Sequence, residues 1–439
     1  MKLLSTQIAL LLFASAAYAQ SAPTTDPSLQ AEVNSIYPQV QALYTDLHQH
    51  PELSNHEVNT AAKLAAQLRQ LGYEVTEHVG GTGVVGVLPN GAGPTVMLRT
   101  ELDALPVEEK TGLPYASKVT VSDDTGKTLP VMHACGHDVH IAALVGTAQI
   151  MAKTRNQWQG TLLLIGQPAE ETIGGAKAML ADGLFTRFPK PEYGVALHTT
   201  NELPAGKVGF TPGYSLTNAD SVNITIYGKG GHGASPQTTV DPIVIAARLV
   251  LGLQTIVSRE TKPGDVAVIT VGYIQGGTRP NIIPDEVHLA LSVRSYTPEV
   301  RKHLLSAIAR MAKAEAEAAG APKAPLVQDV DAADAVYNDP KLNQRLSHVL
   351  VRVLGADNVE QVPPHMASED YSQFIEAGVP SFYFALGVAD PEKFKQAQAG
   401  GTSLPSNHSP FFAPDMASLK TAVEAEVAVL QNLLAKDAQ

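Results

Sequence analysis

The stretch MHACGHDVH, residues 132–140, holds three histidines and the only cysteine of the 439-residue chain. Cysteine thiolate and imidazole are ligands that Zn²⁺ and related divalent metals bind well. Cys135 and His137 stand two apart in a glycine-containing turn before a predicted helix, so both side chains can point toward one centre. Such a cluster is uncommon by chance and favours a metal site. We interpret His133 and His140 as supporting or surface residues.

Two adjacent carboxylates and two further histidines extend this candidate site. Glu170 and Glu171 follow a predicted buried strand, His198 ends another, and His408 lies in a loop. Each of these features alone is more often an ordinary polar surface residue. Adjacent side chains on a turning backbone point in different directions, so one carboxylate can bind metal while the other moves protons. Together the residues suit metal-assisted hydrolysis, which needs a divalent metal and a nearby base.

The candidate ligands outnumber what a closed tetrahedral zinc site requires. They are Cys135, His137, Glu171, His198 and His408. A thiolate shared between two metals would give each metal about four bonds. A structural zinc site is an alternative, but it would be closed and would not need Glu170. A thiol-redox role for Cys135 lacks a second cysteine.

Alternating strand and helix patterns surround these residues. Three apolar runs that each end in polar residues, 95–103, 161–171 and 193–198, predict strands, and the helical patterns between them are 139–151 and 175–184. This alternation indicates a largely parallel α/β sheet, which binds ligands beyond the carboxyl ends of its strands. Glu170, Glu171 and His198 fall at such ends.

The pattern changes at about residue 218, where we predict an inserted, smaller α+β lid domain over residues 218–325. Its predicted strands are 221–230, 266–277 and 286–296, and its predicted helices are 241–259 and 298–319. The buried-strand pattern SFYFALG, residues 381–387, then resumes. We therefore predict an α/β catalytic domain over residues 28–217 and 326–439, with a mixed, largely parallel sheet flanked by helices.

The first 19 residues have a basic start, an apolar run and the small-residue ending Ala-Tyr-Ala. This pattern is typical of a secretory signal, so we expect an exported protein, periplasmic or secreted, with no membrane partner after cleavage. The chain is 44% hydrophobic and carries a formal charge of -12. Without a basic cluster, this charge argues against nucleic acid as a partner.

Several motifs occur in the order found in one known family. They are MHACGHD (132–138), QPAEE (167–171), ALH (196–198), GKGGHGASP (228–236), GGTRPNIIPD (276–285), SED (368–370) and HSPFF (408–412). From about Tyr44 onward the chain resembles the dimetal aminoacylase and carboxypeptidase G family. The cysteine motif resembles the branch of hippurate hydrolase and the indole-acetyl-amino-acid hydrolases. One departure is RTELDALP, where Glu101 replaces the family's aspartate.

The resemblance implies two divalent ions per subunit, zinc or manganese, with cobalt or nickel as alternatives. It implies that Cys135 bridges the ions, that Glu170 is the general base and acid, and that His232 on the lid stabilises the oxyanion. Asn281 and Arg294 match lid positions that hold the substrate's carbonyl and carboxylate. A homodimer formed through the lid domain is also implied. The remaining implied metal ligands are His137, Glu171, His198 and His408.

The sequence therefore predicts hydrolysis of the amide bond of small N-acyl amino acids, releasing a carboxylic acid and an amino acid. A metallo-carboxypeptidase or dipeptidase is an alternative. A dipeptidase that binds a free amino terminus would need an acidic group to receive it, whereas Arg294 favours a free carboxylate. A catalytically inactive periplasmic protein that binds metal or an amino acid is the other alternative. It would have no reason to keep Glu170 together with His232.

Overall fold

A computed structural model describes residues 27–122 and 125–436, so the predicted signal segment at 1–19 lies outside the described residues. The helices are α1 (Pro27–Gln49), α2 (Val58–Gln70), α3 (His137–Lys153), α4 (Gly175–Ala181), α5 (Leu184–Arg187), α6 (Pro242–Thr255), α7 (Pro298–Ala318), α8 (Pro340–Leu354), α9 (Ser372–Glu376), α10 (Pro391–Gln398) and α11 (Ser418–Leu433). The strands are β1 (Glu74–Glu77), β2 (Val84–Asn90), β3 (Thr95–Glu101), β4 (Thr120–Ser122), β5 (Thr128–Pro130), β6 (Gly160–Gln167), β7 (Tyr193–Pro204), β8 (Val208–Phe210), β9 (Gly213–Leu216), β10 (Asn218–Tyr227), β11 (Gly231–His232), β12 (Ala267–Gln275), β13 (Ile282–Ile283), β14 (Glu286–Ser295), β15 (Leu326–Ala333), β16 (Val336–Asn338), β17 (Val359–Gln361) and β18 (Ser381–Ala389).

The large sheet has the strand order β1-β2-β6-β3-β7-β18-β8-β17. Parallel pairing joins β6, β3, β7 and β18, and antiparallel pairing joins β2 to β6 and β8 to β18. Alternate residues of β3 enter different cores: Val96 and Leu98 pack with α1, α3 and α11, whereas Met97 packs with α4 and α9. Because helices cover both faces of the large sheet, the sequences of its central strands are continuous apolar runs. The predicted mixed, largely parallel sheet is confirmed.

The lid domain is a four-stranded antiparallel sheet of order β12-β14-β10-β15, covered by α6 and α7. Buried and less buried residues alternate along β10 and β14, as expected for a sheet with one buried face. The lid sheet includes β15, which pairs with β10 from Thr225 to Ala219. The structure therefore differs from the predicted boundary at residue 326, because this strand belongs to the lid sheet.

Within the described part of the chain, one helical stretch, Pro242–Glu260, is apolar and long enough to cross a membrane. Its apolar residues are explained by the core of the lid domain, against which one face of the helix packs. Ile245, Leu249 and Leu253 are buried against the lid sheet. Leu251 is 73% exposed on the opposite face.

The large sheet positions Glu170 and His198 in different ways. β6 ends at Gln167, so Glu170 lies in the following loop, as predicted. His198 was predicted at a strand end but lies inside the longer β7. However, β3 pairs with β7 only as far as Arg99↔Ala196. His198 therefore lies where β7 continues beside β18 after its pairing with β3 has ended.

A buried carboxyl between α3 and α11 gives a stability prediction. Burial raises the pKa of Glu426 to about 8, although a hydrogen bond from Thr147 Oγ1, at 2.7 Å, opposes the shift. The folded chain keeps a proton that the unfolded chain loses above its ordinary pKa of 4.5, so stability falls as pH rises from 4.5 to 8. We expect Glu426→Gln to raise the free energy of unfolding by roughly 2–4 kcal/mol at pH 8.5 and by much less at pH 5.

Denaturant unfolding of the wild-type and variant proteins at both pH values measures this difference. Glu424→Gln on the same helix is the control, because Glu424 is only partly buried. An equal effect of Glu426→Gln at both pH values would contradict the assignment of a buried, protonated carboxyl.

Candidate metal centre and active site

A left-handed glycine shapes the HACGH turn. Gly136 has φ +90° and immediately precedes α3. A Cβ at this position would lie 2.6 Å from Thr199 Oγ1, so even alanine would displace the neighbouring strand. The turn thus places Cys135 and His137 on either side of a residue that must be glycine.

The imidazoles of His137 and His198 lie close to the Cys135 thiol. His137 Nδ1 lies 2.8 Å from the backbone oxygen of Asp103, and its buried Nε2 has no hydrogen-bond partner. His198 Nδ1 lies 2.9 Å from the backbone oxygen of Thr199, and its Nε2 lies 3.4 Å from Cys135 Sγ. Donation from each Nδ1–H fixes the tautomer that leaves Nε2 with a lone pair, as in metal-binding histidines.

Two further candidate ligands lie near the same sulfur. His408 Nε2 is 3.3 Å from Cys135 Sγ and 3.5 Å from Glu171 Oε1. Glu171 Oε1 is buried without a hydrogen-bond partner. The Glu171 backbone N–H donates to Asp103 Oδ2 at 3.0 Å, so Asp103 contacts the segments of two candidate ligands.

The donor atoms fall into two sets that share the thiol. Atoms of Cys135, His137 and His198 lie within 4.8 Å of one another, and so do atoms of Cys135, Glu171 and His408. The unpartnered His137 Nε2 and Glu171 Oε1 are the atoms that a metal would satisfy. The structure therefore brings all five predicted ligands together, and the chemistry of these donors fits divalent metal ions.

Burial and crowding of negative charge perturb the acids of this site. Burial, followed by the charges of Glu369 and Glu171, holds the pKa of Glu170 well above its usual range. Burial also raises the pKa of Glu171 to about 7, and burial with the nearby glutamates raises the pKa of the Cys135 thiol. A divalent cation would reverse the shift of any group that it binds. Glu170 Oε2 lies 3.9 Å from His137 Nε2, so this second carboxylate adjoins the ligand set.

Sequence reasoning missed the residues that hold the three ligand-bearing segments together. Thr199 Oγ1 donates to the backbone oxygen of Cys135 at 2.7 Å, and Asn407 Nδ2 donates to the same oxygen at 3.1 Å. Asn407 Nδ2 also lies 3.2 Å from the backbone oxygen of Thr199. Their only sequence signal is adjacency to His198 and His408, which does not reveal such contacts.

Glu101, which stands where the family has an aspartate, belongs to a buried ionic network. Glu101 pairs with Arg99, and its other oxygen lies 2.8 Å from His140 Nδ1. His140 Nε2 accepts from the Thr199 N–H at 3.0 Å, so His140 supports the site and is occupied on both ring nitrogens. His133 is also buried, but neither of its ring nitrogens has a hydrogen-bond partner, and burial lowers its pKa to about 4.

The predicted lid residues divide into two locations. His232 is exposed on β11, which pairs with β13, and the adjacent Gly233 N–H donates to the backbone oxygen of Asn281 at 2.9 Å. His232 and Asn281 thus belong to one small lid element. Arg294 lies on β14 near the domain junction, where its Nη1 donates to the backbone oxygen of Met366 at 3.0 Å. Arg294 therefore joins the lid domain to the segment preceding the SED motif.

A mixed α/β domain with two thiol-sharing ligand sets and an inserted lid defines a class of dinuclear metallohydrolase scaffolds. The model of peptidase family M20/M25/M40 matches residues 97–432, and the chain belongs to this family. A dinuclear metal-binding peptidase of the M20 family from Bacillus subtilis superposes with a TM-score of 0.75 at 28% identity, covering 91% of this chain and 99% of the other. A putative aminohydrolase from Staphylococcus aureus gives a TM-score of 0.83 at 31% identity, covering 93% and 100%.

Curated relatives point to the predicted amidohydrolase branch, which is confirmed. The chain is 37% identical to hippurate hydrolase of Campylobacter jejuni, over 80% of this chain and 88% of the relative. It is 32% identical to IAA-amino acid hydrolase ILR1-like 2 of Arabidopsis thaliana, over 98% and 95%. It is 34% identical to N-acetylcysteine deacetylase of Bacillus subtilis, over 88% and 94%. The protein is a hydrolase of this metal-binding family.

These relatives also correct one prediction. Hippurate hydrolase and N-acetylcysteine deacetylase are cytosolic enzymes, so the expectation of an exported, periplasmic or secreted protein is wrong. The apolar run and small residues on which it depended lie within residues 1–19, outside the described part of the chain.

Proposed function

We propose that this protein hydrolyses the amide bond of N-acyl amino acids and releases a carboxylic acid and an amino acid. The observation that carries the proposal is the pair of ligand sets sharing Cys135, with the Glu170 carboxylate immediately beside them. The names of hippurate hydrolase and N-acetylcysteine deacetylase describe this type of reaction and support the same conclusion.

In this proposal the five ligands hold two divalent ions. The ions are zinc or manganese, with cobalt or nickel also suited to the donor set. When bound, they supply Lewis-acid polarisation of the acyl carbonyl and activation of water. The ligands are Cys135, His137, Glu171, His198 and His408.

Glu170 performs the proton transfers. Its carboxylate takes a proton from water as the water oxygen bonds to the acyl carbon. It returns that proton to the amide nitrogen as the carbon–nitrogen bond breaks, so the amino acid leaves as an amine. In this proposal Glu171 binds metal and the adjacent Glu170 moves the protons, although oxygens of both carboxylates lie within 4.8 Å of each other beside His137.

The lid residues are proposed to bind the substrate. His232 donates to the oxyanion, Asn281 holds the carbonyl end, and Arg294 binds the free carboxylate. The bond from Arg294 Nη1 to Met366 leaves other guanidinium donors for that carboxylate. His232 and Asn281 lie on the same lid element, which is consistent with a shared action on the carbonyl.

We also propose a homodimer formed through the lid domain. Among the described strands, β12 is at one edge of the lid sheet, where its backbone groups are open to a further strand. Tyr273 and Ile274 on this strand are 51% and 49% exposed. A second copy that pairs at β12 would cover this apolar edge.

The test is amino-acid release from benzoyl-, acetyl- and indoleacetyl-amino acids, compared with unblocked dipeptides, by the metal-loaded protein. We expect release from at least one N-acyl amino acid with kcat/KM above that of the matching dipeptide. Both substrates carry the free carboxylate that Arg294 would bind, and they differ in the free amino group of the dipeptide, to which this proposal assigns no acidic partner. Preferential cleavage of unblocked dipeptides would favour the peptidase alternative.

A further inference from the structure

The loop between β6 and α4, residues 168–174, carries Glu170 and Glu171 on an unusual backbone. Ala169 has φ +50° and Ile173 has φ +53°. Residues other than glycine rarely adopt this left-handed region, and they persist there only where surrounding contacts enforce it. The two residues flank the Glu170–Glu171 pair, so whatever enforces them also sets the directions of both carboxylates.

Three carboxylates from distant segments bind backbone N–H groups in and beside this loop. Glu57 Oε1 accepts from the N–H of Ala169 at 2.8 Å. Asp103 Oδ2 accepts from the N–H of Glu171 at 3.0 Å, and Asp370 Oδ2 accepts from the N–H of Ala176 at 3.0 Å. Carboxylate–amide hydrogen bonds are strong and directional, so the loop is fixed at three points.

Glu57 is itself held in place. It is fully buried, and the same Oε1 accepts from the Asn55 N–H at 2.8 Å. Its Oε2 accepts from Thr82 Oγ1 at 2.6 Å. The carboxylate thus binds three segments of the chain, and its contact with the catalytic loop falls on the residue directly before Glu170.

We propose that Glu57 is a positioning residue for Glu170. It holds Ala169 in the left-handed conformation and so directs the Glu170 carboxylate toward the reacting centre. This inference rests on the proposed proton transfer by Glu170. Glu171 is fixed separately by Asp103, so loss of the Glu57 contact affects the base more than the metal ligand.

Three variants of Glu57 distinguish the effect of side-chain length from the effect of side-chain charge. Glu57→Asp keeps the charge but is one methylene too short to keep all its partners, whereas Glu57→Gln loses the charge and keeps an oxygen acceptor at full length. We expect Glu57→Asp and Glu57→Ala to lower kcat between about tenfold and a hundredfold, the range that follows from a small misplacement of a catalytic group. We expect Glu57→Gln to stay within about threefold of wild type. KM and the number of bound metal ions should remain unchanged.

Glu52 provides the matched control for stability. Its carboxylate accepts from the backbone N–H groups of Asn59 and Thr60 at the start of α2, at 3.1 and 2.8 Å, in the same part of the chain. Glu52→Ala should lower the thermal midpoint and leave kcat per folded molecule unchanged. If Glu57→Asp and Glu57→Ala also change only the midpoint, or if Glu57→Gln loses as much kcat as Glu57→Asp, the positioning role is overturned.

A second readout does not depend on turnover. Amide hydrogen exchange of Ala169, whose N–H donates to Glu57, should accelerate in Glu57→Asp and Glu57→Ala, but not in Glu57→Gln or Glu52→Ala, while exchange of Glu171, whose N–H donates to Asp103, should stay unchanged. Unchanged exchange in Glu57→Asp overturns the proposal whatever the activity. Failure of the proposed function gives a different result, because metal-loaded wild type would then release no amino acid, or Glu170→Gln would remain active.

Discussion

Glu170→Gln is expected to lower kcat by about a thousandfold, because the amide cannot take a proton from water at neutral pH. The variant should still bind the same number of metal ions, since Glu171 and not Glu170 belongs to the thiol-sharing ligand sets. KM should change little, because shape and size are retained. Steady-state release of the amino acid and metal analysis of the same sample measure both effects.

Glu426→Gln is the control for this variant. It also replaces a buried glutamate with glutamine, but its known hydrogen bond is to Thr147, between α3 and α11. Its kcat should equal that of wild type. Turnover by Glu170→Gln within about tenfold of wild type would reject Glu170 as the base.

Cys135→Ser is expected to remove one of the two tightly bound ions and to lower kcat by more than about a hundredfold. Cys135 is the member common to both ligand sets, so its loss weakens both sites, and we expect the more weakly held ion to be lost while the other stays bound. A serine hydroxyl is a harder, less acidic donor than a thiol and replaces a thiolate poorly. Metal content after dialysis, measured by mass spectrometry, gives the stoichiometry.

His133→Asn is the matched control within the same stretch. His133 is buried two residues before Cys135, but it is not a member of the proposed ligand set. This variant should keep two ions. Retention of both ions by Cys135→Ser, with unchanged affinity, would contradict a shared thiolate.

Local sequence signals sufficed for the catalytic sheet and the ligand cluster. Cys135 and His137 are of residue types that seldom occur together without a metal, and they are close in sequence, so their geometry depends on one turn. Glu170 follows the end of β6, as the strand pattern predicts, whereas His198 lies inside β7, because this strand runs on to Pro204 beyond the apolar pattern. The alternation of strand and helix patterns predicted a sheet flanked by helices, and the residues of β3 are indeed buried on both faces.

Long-range contacts could not be predicted in this way. Glu57 and Ala169 are 112 positions apart, and nothing in either segment indicates their hydrogen bond. Likewise, β15 carries mostly exposed residues, so its sequence does not reveal that it pairs at the edge of the lid sheet. The contact between Arg294 and Met366 depends on how two domains meet, which periodicity does not encode.

The most direct test of the account is metal titration of the metal-free wild-type protein with amino-acid release as the readout. The substrate is whichever benzoyl-, acetyl- or indoleacetyl-amino acid is cleaved fastest. We predict that release is absent without metal and rises with added Zn²⁺ or Mn²⁺ to a plateau at two equivalents per chain. Binding of two ions without release from any of these substrates would contradict the proposed amidohydrolase.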